Sequence, residues 1–453
     1  MDLEGYAKRR LRRGEDESVL ADTLSERILE IKNTTREDAE RLSEAVILEA
    51  KATLAPKGEI FQPIRSGVSM GRFGVGSRGL GDLYTHERIG EIIGETSAVV
   101  DSSQLDDSGV VMGSCGEYIV VNIDGIHSRL SDYPFLAGFH VARAALRDIY
   151  VMGARPIALF SDIHVADDGD VGVIFDHIAG ITTVSDLTGV PLVTGSTLRI
   201  GGDMVIGERM TGGVGAVGIA NLLTSRARAE PGDKIIMTEG AGGGTVSTTA
   251  LYYGRHDLVD ETLNVTFLDA CNLLIEDDLL REVHAMTDVT NGGVRGDARE
   301  ISRTASVKLV FYEERIRPLV NARVLEMLEE LEIDYLGVSL DALLLVTPPE
   351  SCEKILTSLR SHGIKADLIG DVMAGSGVEL VTRERITDFT PRFRESAYTP
   401  IKKVIGEETP TNYEEMQEEV NRAARKAIEK KKRIVEKIRE KRKAKGRSEA
   451  RSM

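Results

Sequence analysis

The strongest structural signal in this chain is the run AALRDIYVMGARPIALF at residues 144–160. Apolar side chains recur at helical spacing in this run and just before it, on a face that carries Val141, Ala145, Ile149 and Met152. Gly153 and Pro156 then end the helix, and the apolar residues that follow favour a strand. The run therefore predicts a helix over 135–152 that a tight turn connects to a strand over 156–160.

Outward from this run, short apolar stretches, glycine-rich turns and amphipathic helices alternate from about residue 67 to residue 381. Further strands are predicted at 97–100, 118–123 and 234–237. A turn at residues 229–233 comes directly before the last of these strands and predicts a domain boundary. We therefore expect an α+β body of two domains, the first over 67–228 and the second over 229–400.

Helices are predicted at both ends of this body. Thr35 can cap a helix in which Asp38 occupies the capping-box position, so residues 1–66 are predicted to form a helical N-terminal extension. The strand signals stop after Pro400, and residues 401–453 are predicted to form a basic helical tail. Its apolar stripe is thin, so the tail is either a solvated helix or a docking element for an acidic protein partner or RNA.

Charge is distributed unevenly along the chain. The protein has 453 residues, of which 42% are hydrophobic, and a formal net charge of −16. Residues 411–453 hold 15 of the 57 basic and 8 of the 73 acidic residues, so a tail of +7 follows a body of −23. The acidic body and the absence of Trp argue against a general nucleic-acid-binding protein.

No targeting segment or disulfide framework is visible in the sequence. No apolar run is long enough to span a bilayer, and the first residues lack a signal-peptide core, so we expect a cytoplasmic protein without a membrane partner. The cysteines are too widely spaced for a zinc site and are expected to be buried, reduced thiols: Cys115, Cys271 and Cys352.

Two glycine-rich turns are candidate anion sites. Residues 74–81, GVGSRGLG, can turn backbone N–H groups toward a phosphate, and Arg78 adds a positive charge. The Asn-Gly-Gly turn at 291–293 precedes a helix predicted over 297–304 and has the same potential. On residue types alone, an anion site is not favoured over the structural alternatives. Residues 74–81 could equally form a flexible loop, and residues 291–293 could equally form a simple connection before a helix.

Aspartates are the candidate metal ligands. Asp106 and Asp107 are adjacent before an apolar stretch, where Mg²⁺ would relieve their mutual repulsion. Asp124 ends a predicted strand and can present its carboxylate to a cleft. Asp148 lies beside the apolar stripe of the predicted helix, which is costly unless it is paired or binds a cation. A solvated turn and a salt bridge to a neighbouring arginine are the open alternatives.

The order and spacing of these motifs resemble the superfamily of aminoimidazole ribonucleotide (AIR) synthetase, thiamine-monophosphate kinase, selenophosphate synthetase and the nitrile-forming hydrogenase maturation factor. The resemblance covers about residues 67–381. Residues 106–110, DDSGV, are similar to the family's Asp-Asp-Ala-Ala-Val segment. Residues 148–156 are similar to its Asp-x-x-x-Met-Gly-Ala-x-Pro helix, and residues 288–293 to its Asp-x-Thr-x-Gly-Gly turn. Residues 340–350 resemble its last core strand.

This resemblance implies an N-terminal mixed-sheet domain that forms a homodimer, a C-terminal α/β domain, and ATP with Mg²⁺ as cofactors. It implies an ATP-dependent enzyme that phosphorylates or activates a small-molecule or protein-borne group, with hydrogenase or cofactor maturation as one setting. The metal ligands that it implies are Asp106, Asp107, Asp124, Asp148 and Asp288. The nucleotide-binding residues that it implies are Gly74, Gly76, Ser77, Arg78, Gly79, Gly195, Ser196, Thr197, Asn291, Gly292 and Gly293.

Three departures from the family pattern leave the subfamily open. Selenophosphate synthetases carry a reactive Cys or selenocysteine in the glycine-rich entry loop, but residues 71–82 contain none. The nitrile-forming factor has a C-terminal Cys, whereas the last Cys here is Cys352. Thiamine-monophosphate kinase has Gly-Gly-Asp-Thr where residues 194–197 are TGST. A non-catalytic nucleotide-binding maturation scaffold is therefore the alternative to an active enzyme.

Overall fold

The computed structural model describes the backbone of residues 1–449 and the side chains of residues 1–443. Its helices are α1 (Leu3–Arg12), α2 (Glu17–Ile31), α3 (Arg36–Ala52), α4 (Met70–Phe73), α5 (Leu80–Ile93), α6 (Pro134–Tyr150), α7 (Gly172–Thr188), α8 (Gly244–Tyr252), α9 (Thr266–Glu276), α10 (Gly293–Ala305), α11 (Glu313–Ile316), α12 (Ala322–Glu330), α13 (Cys352–Ser361), α14 (Pro400–Ile405) and α15 (Tyr413–Glu449). Its strands are β1 (Gly109–Met112), β2 (Tyr118–Gly125), β3 (Arg155–Val165), β4 (Leu192–Arg199), β5 (Met210–Ala220), β6 (Lys234–Thr238), β7 (Ala285–Asp288), β8 (Val307–Tyr312), β9 (Leu343–Thr347), β10 (Ala366–Ala374), β11 (Gly377–Val381) and β12 (Ile386–Asp388). Residues 450–453 of the predicted tail lie outside the described residues.

The chain folds into two compact units, each built from three separate segments. Unit 1 contains Met1–Gln62, Ile119–Leu223 and Gly242–Leu280. Its strands follow the order β2-β5-β3-β4, in which β3 is antiparallel to β5 and parallel to β4. The run at residues 144–160 forms the end of α6, a turn and the start of β3, so the predicted helix–turn–strand unit is confirmed.

Helices α6 and α7 of unit 1 cross closely at two glycines. A Cβ atom on Gly138 would lie 2.1 Å from the carbonyl oxygen of His177, and one on Gly180 would lie 2.1 Å from that of Phe135. Only glycine allows this approach, because any side chain would overlap the backbone of the facing helix. The crossing fixes α6, and with it the position of Asp148.

The N-terminal extension is a packed part of unit 1. Helices α1, α2 and α3 enclose a small apolar core that also includes Ile206 of the unit. The Lys32 ammonium group, just after α2, donates to Asp167 and Asp168 at 2.5 and 2.6 Å. Thr35 caps α3 as predicted, its hydroxyl accepting from the Asp38 amide at 3.1 Å. The sequence did not decide whether these helices pack on the body, and the structure shows that they do.

Unit 2 contains Pro63–Tyr118, Thr224–Ala241 and the chain from Arg281 onward. Its sheet has the order β12-β11-β8-β10-β6-β9-β7, in which β11 is parallel to β8 and the other pairs are antiparallel. Strand β9 is buried along its whole length, which explains its uninterrupted apolar sequence, LLLVT. The prediction of a strand at residues 97–100 is wrong. Only Val100 of that segment is buried, and it makes a single bridge, to Val110.

The first half of the tail helix, α15, packs against α5 within unit 2. The Tyr413 ring lies 5.6 Å from the ring of Phe73 and 5.1 Å from that of Phe393, measured between centroids. Met416 is only 3% exposed. The Lys431 ammonium group donates to the carbonyls of the last two residues of α5 at 2.7 and 2.8 Å. The side chains of residues 435–443 are all exposed, so this part of the helix is solvated and makes no packing contact like that of Tyr413 or Met416.

The α+β class with two bodies and helices at both ends is confirmed. The predicted segment boundaries at residues 66, 228 and 400 stay predictions, because the compact units interleave along the chain. Within the described residues, no helix is long and apolar enough to cross a membrane. Cys271 and Cys352 are buried as expected, but the expectation is wrong for Cys115, which lies exposed in the turn that follows β1.

Candidate functional site

Asp106 and Asp107 lie in unit 2 in the loop that leads into β1. Leu105, the residue before them, has a positive φ of 53°, which turns the chain sharply ahead of the two carboxylates. The Asp106 Oδ2 atom accepts hydrogen bonds from the Ser225 hydroxyl and from the Arg226 amide. Its Oδ1 atom accepts from the Asp107 amide at 3.1 Å. Asp106 is therefore fully engaged in holding the loop.

The Arg226 side chain is the centre of a buried cluster in unit 2. Its guanidinium group is 2% exposed and donates to Asp107 Oδ1 at 2.6 Å and to Glu300 Oε2 at 2.5 Å. It also donates to the Leu105 carbonyl at 2.9 Å, and to the Thr287 hydroxyl from both Nη2 at 2.6 Å and Nε at 3.2 Å. A carboxylate oxygen of Asp297 lies 3.6 Å away. We call Arg226 with Asp106, Asp107, Asp288, Asp297 and Glu300 the carboxylate cluster.

Asp288 brings a further carboxylate to Asp107. It ends β7, it is buried, and one of its carboxylate oxygens lies within 4.8 Å of one of Asp107. The Oδ2 atom of Asp107 is buried, and no hydrogen-bond donor in the described part of the chain reaches it. A buried carboxylate oxygen next to a second carboxylate is unfavourable unless a cation lies near both.

Burial is the largest influence on the pKa values of Asp106, Asp107 and Asp297. It raises the pKa of Asp107 well above its ordinary value against the opposing effect of Arg226, and the charges of Asp288 and Asp106 raise it further. Burial also raises the pKa of Asp297 to about 8. The aspartates are therefore poorly compensated by the arginines of unit 2.

Glu300 is compensated better than the aspartates. Burial acts to raise its pKa, but Arg226 and Arg78 outweigh burial and the pKa is lowered. The pKa of the Arg78 guanidinium is raised in turn, chiefly by Glu300. Arg226 and Arg78 thus compensate Glu300, whereas Asp107 and Asp297 keep raised pKa values. A divalent cation nearby would favour the charged forms of these aspartates.

The glycine-rich segment of unit 2 already holds an anion, a carboxylate from its own helix. Gly74 and Gly76 have φ values of 77° and 87°, which turn the backbone amides inward. The amides of Gly76 and Arg78 donate to Asp82 Oδ2 at 3.0 and 2.6 Å. Asp82 lies in the first turn of α5 and is 3% exposed. The segment therefore has the concave amide geometry expected of an anion site.

Arg78 connects this glycine-rich segment to the second glycine turn. Its Nε atom donates to the Asn291 carbonyl at 3.0 Å, and its Nη2 atom donates to the Thr290 hydroxyl at 3.4 Å. A Cβ atom on Gly292 would lie 3.0 Å from the Cβ of Arg78, so a side chain there would force the two segments apart. Gly293 begins α10, four residues earlier than predicted. The structure brings together the two segments that the sequence suggested for anions.

The predicted ligands in unit 1 lie around Asn122 of β2. The Asn122 side-chain amide donates to Asp148 Oδ2 at 3.1 Å, and its carbonyl oxygen accepts from the Ala216 amide at 3.1 Å. Asp124, two residues further along β2, is on the same face of the strand as Asn122. The sequence analysis left open that a salt bridge satisfies Asp148. The structure shows that a hydrogen bond from Asn122 also satisfies part of this carboxylate.

Gly195, Ser196 and Thr197 lie in β4 at the edge of the unit 1 sheet and are exposed. Ser196 is the register partner of Asp162 on β3. The imidazole of His164, next to it on the same face of β3, is within 3.0 Å of the Asp162 carboxylate. The sequence analysis did not single out this Asp–His pair.

Sequence reasoning named Asp106, Asp107 and Asp288 but missed the other half of the carboxylate cluster, Arg226, Asp297 and Glu300. Asp297 and Glu300 are three residues apart on α10, and this helical spacing beside buried apolar positions was a usable signal. Arg226 gave no such signal. It is one of two arginines in a polar turn before Pro231, and its partners Glu300 and Asp107 lie 74 and 119 residues away along the chain.

Two domain-level sequence models match this chain. Residues 105–220 match the model described as AIR synthase related protein, N-terminal domain, and residues 230–383 match its C-terminal counterpart. The chain belongs to the AIR synthase-related family. The resemblance drawn from the motifs is therefore confirmed. Residues 1–104 and 384–453 lie outside the two matched ranges of this AIR synthase-related protein.

Curated relatives support the same assignment. A selenide, water dikinase of Myxococcus xanthus is 30% identical over 63% of this chain and 87% of its own length. An uncharacterised protein of Methanocaldococcus jannaschii is 50% identical over 98% of this chain and 99% of its own length. The Methanocaldococcus jannaschii protein thus matches the helical extensions of this chain as well as its body.

Solved structures show the AIR synthase-related fold. A hydrogenase maturation protein HypE in complex with ATP aligns with a TM-score of 0.53 at 20% identity, over 69% of this chain and 93% of the other. A ThiL protein complexed with AMPPCP and TMP aligns with a TM-score of 0.51 at 18% identity, over 68% of this chain and 94% of the other. At these identities the likeness concerns the fold alone.

Proposed function

We propose that this AIR synthase-related protein is an ATP- and Mg²⁺-dependent enzyme that phosphorylates or otherwise activates a small-molecule or protein-borne group. The observation that carries the proposal is that the Oδ2 atom of Asp107 is buried without a donor among the described residues, in a carboxylate that has one oxygen within 4.8 Å of an Asp288 oxygen. The names of two similar proteins support it, a selenide, water dikinase and a HypE solved with ATP.

The donor atoms of the carboxylate cluster fit Mg²⁺. Hard carboxylate oxygens are the ligands that Mg²⁺ prefers, and the cluster contains no thiol or imidazole. The proposed ligands are Asp106, Asp107, Asp124, Asp148 and Asp288. Both oxygens of Asp106 already accept hydrogen bonds, so we assign Asp106 to a contact through water and to holding the loop. When bound, Mg²⁺ neutralises phosphate charge and aligns the phosphoryl group for transfer.

Phosphate binding is assigned to the two glycine turns that Arg78 joins. The proposed residues are Gly74, Gly76, Ser77, Arg78, Gly79, Asn291, Gly292 and Gly293, with Gly195, Ser196 and Thr197 of unit 1 as further nucleotide contacts. The start of α10 adds the positive end of a 13-residue helix. A phosphate that uses the amides of Gly76 and Arg78 must displace the Asp82 carboxylate, which now occupies them.

The acceptor nucleophile is assigned to the substrate. Residues 71–82 contain no Cys, so the glycine-rich segment supplies no thiol of its own. An oxygen of an amide, carboxylate or alcohol becomes a good leaving or transfer group once it carries a phosphoryl group. The proposed metal ligands and phosphate contacts would then act by positioning the reactants and by neutralising charge, which supply most of the rate enhancement in phosphoryl transfer.

Calorimetric titration of the full chain with ATP and ADP, with and without Mg²⁺, tests the proposal. We expect nucleotide binding that depends on Mg²⁺ and that Asp107→Asn weakens at least about tenfold, because a neutral amide is a poor cation ligand. Asp22→Asn, at an exposed aspartate of α2, is the matched control and should bind like the wild type. Binding without any dependence on Mg²⁺, or an unaffected Asp107→Asn variant, would contradict the assignment.

A non-catalytic nucleotide-binding maturation scaffold is the second candidate. The observation that favours it is the Asp82 carboxylate in the amide cradle, since it competes with a phosphate for the same N–H groups. A screen of candidate substrates for stimulated ADP release separates the two. Turnover with any substrate supports the enzyme, whereas tight nucleotide binding without stimulated release across the screen supports the scaffold.

A further inference from the structure

We infer that Arg226 is a positioning residue that sets the distance between Asp107 and Asp288, and that it thereby makes the site selective for Mg²⁺ over larger divalent cations. The inference rests on the proposed function, because it concerns the same metal site. It adds a residue that is not itself a ligand and that touches neither nucleotide nor metal.

The guanidinium group of Arg226 ties together three parts of unit 2 that are distant in sequence. Its Nη2 atom holds Asp107 Oδ1 at 2.6 Å, which leaves the Oδ2 atom of the same carboxylate as the one without a donor. Its Nη2 and Nε atoms hold the hydroxyl of Thr287, the residue immediately before Asp288. Its Nη1 atom is fixed to Glu300 on α10. One rigid planar group therefore determines how far the two carboxylates stand apart.

Separation matters because Mg²⁺ and Ca²⁺ tolerate different geometries. Mg²⁺ requires oxygen ligands at about 2.0–2.1 Å in near-octahedral arrangement, whereas Ca²⁺ accepts about 2.3–2.6 Å and irregular geometry. The Asp107 and Asp288 oxygens lie within 4.8 Å of each other while Arg226 holds both segments. A loosened pair would still suit Ca²⁺ but would lose the tight arrangement that Mg²⁺ needs.

Lysine cannot replace the fork of Arg226. Its single ammonium group carries the same charge, but it cannot donate in fixed directions to Asp107, Thr287 and Glu300 at once. Arg226→Lys therefore separates positioning from charge. If Arg226 acted only as a buried positive charge, the lysine variant would restore cation binding and selectivity.

Titrating nucleotide-free, full-length protein with Mg²⁺ and with Ca²⁺ by calorimetry tests the inference. For Arg226→Lys we expect Mg²⁺ binding to weaken at least about tenfold, as is usual when a residue that orients a ligand is lost. Ca²⁺ binding should change less than about threefold, so the preference for Mg²⁺ falls. An unchanged preference would overturn the inference.

Arg295→Lys is the matched control. Arg295 is also buried in unit 2 and pairs with Glu395 and Asp334, both at 2.7 Å, and neither partner belongs to the carboxylate cluster. It should lose thermal stability like Arg226→Lys and keep the Mg²⁺ to Ca²⁺ ratio of the wild type. An equal fall in the ratio for both variants would mean a general loss of structure and would overturn the inference.

Thr287→Val tests the positioning role of Arg226 if the Arg226→Lys variant does not fold. It removes the hydroxyl that binds Nη2 and Nε while it keeps Asp107, Asp288 and Arg226. We expect the same fall in Mg²⁺ preference, of smaller size. Wild-type protein that binds neither cation would overturn the inference, and the proposed function would fall with it only if the nucleotide titration also showed no dependence on Mg²⁺. Wild-type binding with an unchanged ratio in the variants would overturn the inference alone.

Discussion

The buried carboxylates of unit 2 differ in how well nearby arginines compensate their charge. Arg226 and Arg78 are the arginines that lower the pKa of Glu300, while Asp107 and Asp297 keep raised pKa values in the same cluster. Such an arrangement costs stability, and proteins retain it where a ligand restores the balance. We therefore predict that the stability of the fold and the binding of a cation are linked at this site.

The pH dependence of stability should report this imbalance through Asp297. Its pKa is about 8 in the folded protein and about 3.9 in an unfolded chain, so between these values the folded state binds a proton that the unfolded state has lost. Stability is then highest at low pH within this window and falls as the pH rises toward 8. The slope for one such proton is at most about 1.4 kcal/mol per pH unit.

Calorimetric unfolding in EDTA from pH 5 to pH 8 measures this effect. We expect the melting temperature to fall with rising pH in the wild type, and Asp297→Asn, which is neutral throughout, to flatten the dependence. Asp22→Asn, at an exposed position, should keep the wild-type slope. Equal slopes for wild type and Asp297→Asn would show that this carboxyl group does not hold the extra proton.

Among the elements, the chain after the matched domains holds the glycine-rich segment in place. The Leu80 amide donates to the Arg392 carbonyl at 3.0 Å, and the Glu395 amide donates to the Ser77 carbonyl at 3.3 Å. A Cβ atom on Gly79 would lie 2.3 Å from the Phe393 carbonyl oxygen, so glycine is required at that contact. Residues 392–395 lie beyond the range that the C-terminal domain model matches. The proposed phosphate loop thus depends on contacts from a segment outside the matched domain range.

Helix α15 should stabilise this arrangement through its first half only. Deleting residues 411–453 removes the Tyr413 ring from Phe73 and Phe393, and we expect a cost of about 3 kcal/mol, as for a large aromatic side chain taken from a core. Deleting residues 432–453 removes mainly exposed side chains and should shift the melting temperature little.

Differential scanning calorimetry of the two truncated chains measures the difference, and nucleotide titration shows whether the glycine-rich segment is affected. The shorter deletion serves as the control, because it keeps the Lys431 contacts to the end of α5. Similar melting temperatures for both truncated chains would mean that the packing of Tyr413 contributes no stability.

Unit 1 exposes apolar side chains on its sheet, and we propose that a second copy of the chain covers them. Ile123 on β2 is 67% exposed, and Val121 on β2, Ile157 on β3 and Ile219 on β5 are also exposed. A sheet face of this kind is typical of an interface between protein chains. The exposed face supports the homodimer that the family resemblance implies.

Light scattering after size exclusion tests the homodimer. We expect the wild type to elute as a dimer and Ile123→Glu to elute largely as a monomer, because a buried unpaired carboxylate at the interface is costly. Leu48→Glu, at an exposed apolar position of α3, is the control and should remain dimeric. A monomeric wild type, or an Ile123→Glu dimer of unchanged stability, would contradict this interface.

Local patterns in the sequence predicted the elements well where the pattern was long. The apolar face at Ala145 and Ile149 predicted α6, and the Asn-Gly-Gly turn predicted a helix close to the start of α10. The four-residue segment at 97–100 was too short for its apolar residues to distinguish a strand from a single bridge. Short segments depend on which neighbour they meet, and that neighbour is not visible locally.

The family, the two α+β bodies and the helices at both ends could be predicted from the order of the residues, because they follow from hydrophobic periodicity and from local motifs. The candidate aspartates and glycine turns were also visible in the sequence. Three features became visible only in the folded chain: Arg226 joins Asp107 to Thr287 and Glu300, Asp82 occupies the amides of the glycine-rich segment, and the first half of the tail packs on α5. These contacts join residues that are distant along the chain or belong to different elements, and their energies depend on burial, which no local pattern reports.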